Sequence, residues 1–193
     1  MNFRTAAGAC ALFLGGAFAA YSFTTQTPEE KALYELMAPS EHHKLLEDRV
    51  GKWNMTVKMA ESPMGPASES LATSEMKWIL GGRFIQDDTQ GSFGGMPFVG
   101  LGFGGYDNLK KKFVSIWMDN MGTGVMATEG TYDVETKTFT FNGEMQDAML
   151  GKMVPVKLVE KIADKDNWTM AMFTTGPNGK DLQMMEILYK RAK

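Results

Sequence analysis

The sequence predicts an all-β protein, an antiparallel up-and-down β-barrel of about ten strands preceded by one or two short helices. Three observations carry that prediction. First, apolar, β-rich runs of strand length recur from Trp53 to Arg191 with short glycine- or Asx-containing breaks between them. Second, several runs alternate strictly, as in Trp53, Met55, Val57 and Met59 against Asn54, Thr56 and Lys58. Third, no helical period interrupts the runs after Val50, so parallel crossovers have nothing to be built from and neighbouring strands must run antiparallel. Closing the sheet also removes the edges that an open sheet of this width would expose.

Residues 1–19 have the form of a signal peptide. Arg4 gives a positive start, Ala6 to Phe18 is apolar, and Ala17-Phe18-Ala19 is a small-residue cleavage site. The expected location is therefore exported, periplasmic or secreted, with no stable membrane insertion once the leader is cut. The alternative is anchoring by an uncleaved N-terminal segment, for which this alanine- and glycine-rich run is barely long enough. The single cysteine, Cys10, lies within the leader, so no disulfide framework is available. A linker and short helix occupy 20–38. Thr27-Pro28-Glu29-Glu30 supplies an N-cap, a proline at N1 and a capping-box glutamate, and the helix is expected to run to Met37. Pro39 breaks it. Ser40 then caps a second helix expected over Glu41 to Val50, with Leu45, Leu46 and Val50 as its apolar face. His42 and His43 are adjacent there, point about 100° apart, and are expected to face solvent.

The barrel domain is placed at 39–193. Its strands are expected at Trp53–Met59, Ser68–Leu80, Arg83–Gly91, Pro97–Tyr106, Lys112–Asp119, Val125–Tyr132, Thr138–Met145, Lys152–Ile162, Trp168–Thr175 and Asp181–Arg191. The Gly176-Pro177-Asn178-Gly179 turn joins the last two. In the fourth strand Gly100, Gly102 and Gly104 share one face, which permits the close approach of a ring, a helix or a ligand.

Some of these residues carry a family likeness. Gly51-Lys52-Trp53 at the head of the first strand, with Arg191 near the end of the last, resembles the G-x-W…R signature of lipocalin-like (calycin) barrels. A longer set is similar to the secreted bacterial family known as domain of unknown function 1579. It comprises Trp78 to Phe84, Gly100 with Gly105-Tyr106-Asp107, Trp117 with Asp119, Gly122-Thr123-Gly124, and Glu129 to Asp133. The likeness covers about residues 40–192 and implies a calycin-type barrel without an assigned activity. Haem-binding barrels of the nitrobindin branch use a histidine from late in the chain. This sequence has none after His43, so no haem is expected.

Composition excludes several functions. The net charge of −3 provides no basic field for nucleic acid. No G-x-S-x-G elbow and no thiol outside the leader offers a nucleophile. Strand-borne carboxylates (Asp87, Asp119, Glu129, Glu144) are the remaining acid–base groups. Asp119 shares a face with Trp117 and Phe113, and Arg83 is its expected partner. The 17 methionines suit core packing and loop filling first, an adaptable apolar lining second and a copper site least. The reading is an exported, non-enzymatic barrel for a small apolar or amphipathic molecule, lined by Trp53, Trp78, Phe113 and Trp117, with polarity from Arg83 and Asp119. No cofactor and no metal are expected, and oligomeric state is left open. The alternatives are a carboxylate-dependent isomerase or hydrolase acting on a small substrate, and a ligand-free structural envelope protein.

Overall fold

Capping at the N-terminus follows from the residue types. In the computed structural model, which describes residues 27–62, 65–176 and 179–193, helix α1 spans Pro28–Met37. Thr27 Oγ1 accepts from the Glu30 amide, and the Glu30 carboxylate accepts from the Thr27 amide. The leader over 1–19 and the turn positions 63–64 and 177–178 lie outside the described residues.

The second helix is shorter than the sequence predicts. Helix α2 covers only Glu41–Lys44, and a 3-10 turn follows at Glu47–Arg49. The tighter turn rotates the chain so that Leu46 is buried while Leu45 is left partly exposed. The histidine pair divides in the same way. His43 is buried, with Nδ1 accepting from the Ser40 amide at 2.9 Å, while His42 lies exposed and stacks on Tyr106 with ring centroids 4.3 Å apart. The expectation that both histidines face solvent is corrected for His43.

Ten strands follow: β1 Gly51–Met59, β2 Ser68–Ile79, β3 Phe84–Phe93, β4 Met96–Asp107, β5 Lys112–Asp119, β6 Met126–Asp133, β7 Thr138–Asp147, β8 Lys152–Asp164, β9 Asn167–Thr175 and β10 Asp181–Arg191. Each pairs antiparallel with its sequence neighbours, and β10 returns to β1, closing the barrel. The closing register runs from Trp53 opposite Arg191 to Met59 opposite Met185. No helix among the described residues is long and apolar enough to cross a membrane.

One end of the barrel has a floor. Arg191 lies 4.2 Å over the Trp53 ring and donates to the carbonyls of Val50, Asp48 and Lys165. Trp53 Nε1 donates to the Arg49 carbonyl at 2.7 Å. These bonds tie the first strand, the last strand and the 3-10 turn into one plug. Gly51 is part of the fit: its φ is +133°, and a Cβ there would meet Arg191 Nη1 at 2.4 Å. Around the plug, Trp168 stacks on Tyr189 at 3.5 Å between centroids, and Phe113, Phe139 and Phe141 complete a buried aromatic layer.

Candidate functional site

Strand parity fixes what faces the interior. Burial of Trp53, Met55, Ser74, Ile85, Phe113 and Phe141 sets the inward face of their strands, and the register carries it to the neighbours. The glycine face of β4 points inward. Gly102 stands opposite Trp117 of β5, and the indole lies flat on this wall. A Cβ on Gly100 would come within 2.3 Å of the Trp117 ring, and one on Gly102 within 3.2 Å. The glycines are therefore the seat of an aromatic ring, the close approach that their bare face allows. Asp119 holds the ring in place, accepting from Trp117 Nε1 at 2.9 Å and from the Met121 amide at 2.9 Å.

One residue nearer the floor the wall is bare. A Cβ on Gly104 would meet no heavy atom within 4 Å, and Ser115 opposite it is only half-buried although it faces inward. The interior above the aromatic layer is thus not filled by side chains at this point. Thioethers line the rest of the interior: Met126 is the cross-strand neighbour of Trp117, and Met145, Met170, Met172 and Met185 lie further round the barrel; all face inward and are half-buried. Met172 pairs across to Met185, and Met185 to Met59, so three thioethers are neighbours on adjacent strands near the mouth. A recess of about 300 Å³, lined by Lys58, Met59, Gln183 and Met185 among others, opens there. A second, of about 250 Å³, lies outside the barrel beneath the floor and is rimmed by charged residues including Lys44, Asp48, Lys137 and Lys165.

Polar groups sit deeper. Asp87 on β3 faces inward between Ser74 and Thr89, whose hydroxyls both donate to its Oδ1 at 2.6 and 2.9 Å. Burial raises the Asp87 carboxyl above the ordinary range; the two hydroxyls pull the other way, and the nearby Asp88 and Glu160 charges push it further up. Glu160 on β8 is buried and pairs with Arg49, which enters from the floor with its guanidinium 4.3 Å over Phe139. Burial, Asp87 and Glu160 all push the Tyr189 phenol well up. Among the described residues three buried polar atoms have no hydrogen-bond partner: Thr128 Oγ1, Trp168 Nε1 and Arg49 Nε. Thr128 faces the interior beside Ser115. An orphaned buried donor is costly, about 1–3 kcal/mol, unless something outside the chain satisfies it. Among the described residues no group of three or more His, Cys, Asp or Glu side chains is placed to hold a metal ion.

A family model described as a protein of unknown function (DUF1579) matches residues 38–191. The chain belongs to the DUF1579 family. No curated protein matches it. Among solved structures it is similar to the crystal structure of Rv2717c from M. tuberculosis, with 14% identity, a TM-score of 0.60, and coverage of 81% of this chain and 100% of that one. At that identity the likeness concerns the barrel fold alone. A redesigned β-barrel matches at 14% identity and a TM-score of 0.38, covering 78% of this chain and 95% of that one, too distant to carry an argument.

The six site residues expected from sequence occupy three different levels of this DUF1579 barrel. Trp53 and Phe113 are buried in the floor layer. Trp78 is also at the floor, half-buried, with Nε1 donating to Glu47 at 3.0 Å. Trp117 and Asp119 line the glycine wall and mouth. Arg83 is outside the barrel: it sits in the β2–β3 turn and donates to the carbonyls of Met37 and Leu80, holding the end of α1. The expected Arg83–Asp119 pair is not formed. Arg83 adjoins the end of β4 near Gly105, while Asp119 is opposite Gly100, and five strand residues separate the two by roughly 17 Å. Of the four strand carboxylates, only Asp87 and Asp119 face inward; Glu129 and Glu144 are exposed on the outer face. Sequence reasoning missed Arg49, Glu160 and Tyr189. For Glu160 a signal was present, since it shares the strand face of Val156, Leu158 and Ile162.

Proposed function

We propose that the interior of this barrel binds a small amphipathic molecule. Its polar end would lie at the level of Asp87, and its apolar part would run toward the mouth between the Gly–Trp117 wall and the methionines. The observation that carries this reading is the unfilled space in front of inward-facing Gly104, next to the Trp117 indole seated on Gly100 and Gly102. A filled structural barrel would pack that space. The two walls suit such a guest: a flat, rigid aromatic on one side and flexible, polarisable thioethers on the other. The leader-like segment at 1–19 supports placing this binding in an exported protein, and N-terminal sequencing of the purified protein tests that part directly.

Native mass spectrometry of the protein from its own host, followed by denaturation and identification of what is released, tests the binding. A stoichiometric small molecule that is lost in a Gly104→Leu variant is the expected result. A wild-type protein that neither carries nor takes up any apolar guest overturns it. Asp87 favours a second reading: a desolvated carboxyl with a raised pKa is suited to general acid–base work, and turnover of the identified guest would select it.

A further inference from the structure

The polar end of the ligand can be assigned a charge from the groups that would face it; this rests on the binding reading above. We propose that the interior selects a protonated amine, seated on Oδ2 of Asp87 beside the face of Trp117.

The two oxygens of Asp87 are not equivalent. Both hydroxyl donors, from Ser74 and Thr89, go to Oδ1, and among the described residues no group donates to Oδ2. Among the described residues no lysine or arginine pairs with this carboxylate, although it is more buried than the carboxylates of the surface ion pairs. The other charged or titratable groups around it leave the balance negative. Glu160 on β8 is neutralised by Arg49. Asp88 on β3 faces outward and is bound by Lys77 and Gln86. Tyr189 on β10 stays a neutral phenol at physiological pH because its pKa is pushed up. Arg49 keeps a spare Nε–H, but its guanidinium lies against Glu160 and between aromatic rings, so an anionic guest there would meet a carboxylate.

The neighbours of Asp87 are those that recognise organic cations. A Cβ on Gly102 would touch Asp87 Cβ at 3.2 Å and Trp117 Cε3 at 3.2 Å, so carboxylate and indole flank the same glycine. An ammonium on Oδ2 would therefore gain a charge-assisted hydrogen bond and the negative face of an indole together. The absence of a Cβ at Gly102 leaves room for both groups on this wall. An alkyl chain leaving the nitrogen toward the mouth then runs along the methionines.

Three probes of equal length separate the possibilities: n-octylammonium, n-octanol and n-octanoate, titrated into the purified protein and followed by calorimetry and tryptophan fluorescence. The expected order is octylammonium about tenfold or more tighter than octanol, with octanoate weakest. Asp87→Asn should bring octylammonium down to the affinity of octanol in the same variant, since the amide oxygen still accepts from Ser74 and Thr89 while the charge is gone. Lowering the pH through the titration of Asp87 should weaken octylammonium and not octanol. If Asp87→Asn fails to fold, Trp117→Leu provides the second variant and should lower the octylammonium-to-octanol ratio. Equal binding of all three, or tightest binding of octanoate, overturns the amine assignment and leaves the binding reading intact. Failure of all three to bind overturns both.

Discussion

Replacing Arg49 by alanine tests whether the floor depends on a charge pair that the barrel cannot solvate. The Arg49 and Glu160 side chains are only 12% and 10% exposed, and they join the 3-10 turn to β8 across 111 residues of sequence. The guanidinium also covers the Phe139 ring at 4.3 Å and approaches Trp168 at 5.5 Å. Removing it leaves the Glu160 carboxylate buried, unpaired and near Asp87. Breaking a buried pair in this way costs about 3–5 kcal/mol, a large part of the roughly 5–15 kcal/mol that holds a domain of this kind together. The double replacement Arg49→Met with Glu160→Leu removes both charges and should recover most of that loss, because the desolvation of two ions disappears with their attraction. Urea unfolding followed by tryptophan fluorescence measures all three proteins, with an unchanged slope as the check that the denatured state is unaltered. High salt should leave the deficit in place, since buried pairs are weakly screened. A deficit below about 1 kcal/mol for Arg49→Ala, the range of surface pairs, would refute the reasoning. So would a double variant no more stable than the single one.

Three further predictions follow from single contacts. Asp87 has a raised pKa in the folded protein, so the folded state holds its proton more tightly and stability falls as pH rises from the unfolded carboxyl range through the folded pKa; Asp87→Asn should therefore be more stable than wild type at pH 7 and no more stable near pH 3, as read from urea midpoints at the two pH values. Gly51→Ala should cost more than about 2 kcal/mol, because positive φ and the Arg191 guanidinium both oppose a Cβ, whereas Gly95→Ala, with positive φ but open space, should cost about 1 kcal/mol; paired thermal melts compare them. Asp119→Ala should release the Trp117 indole from the glycine wall, costing about 1 kcal/mol and reducing the near-ultraviolet circular dichroism, while Asn120→Ala, which loses only backbone clips at the same turn, should leave that signal unchanged.

The number and direction of strands were legible because each turn carries residues that only turns use well, such as Gly81-Gly82, Gly94-Gly95 and Asp133 with its carboxylate accepting from the Glu135 and Thr136 amides. The floor was legible in part, since Gly51, Trp53 and Arg191 form a motif whose contacts are local once the first and last strands meet. The site was harder to read for a definable reason. Parity says which residues share a face but not how far apart two strands place them, and the height of Arg83 relative to Asp119 is a sum over two registers. Arg83 is moreover a turn residue, to which strand parity does not apply. Asp87 and Asp88 are adjacent, so one must face in and one out; the choice follows from Ile85 being buried, and that depends on packing across the barrel. Arg49 left no periodic trace, because its entry into the barrel depends on a 3-10 turn of three residues.

The distribution of order along the barrel axis bears on what a ligand can do here. At the floor, aromatic rings, a buried ion pair and the Arg191 cap are all mutually satisfied except for isolated N–H groups, and a change there should act on stability. Higher up, one wall is fixed by backbone: Trp117 rests on Gly100 and Gly102, where even a methyl group would displace it, and Asp119 anchors its nitrogen. The opposite wall is made of side chains with three rotatable bonds each, which lose fit gradually rather than abruptly when a guest changes shape. On the proposed binding reading, a site built this way would discriminate through its rigid side and accommodate through its soft one. Selectivity should then reside in the Asp87–Gly102–Trp117 row, and substitutions among Met145, Met172 and Met185 should alter which apolar tails are accepted without altering the preferred charge of the head.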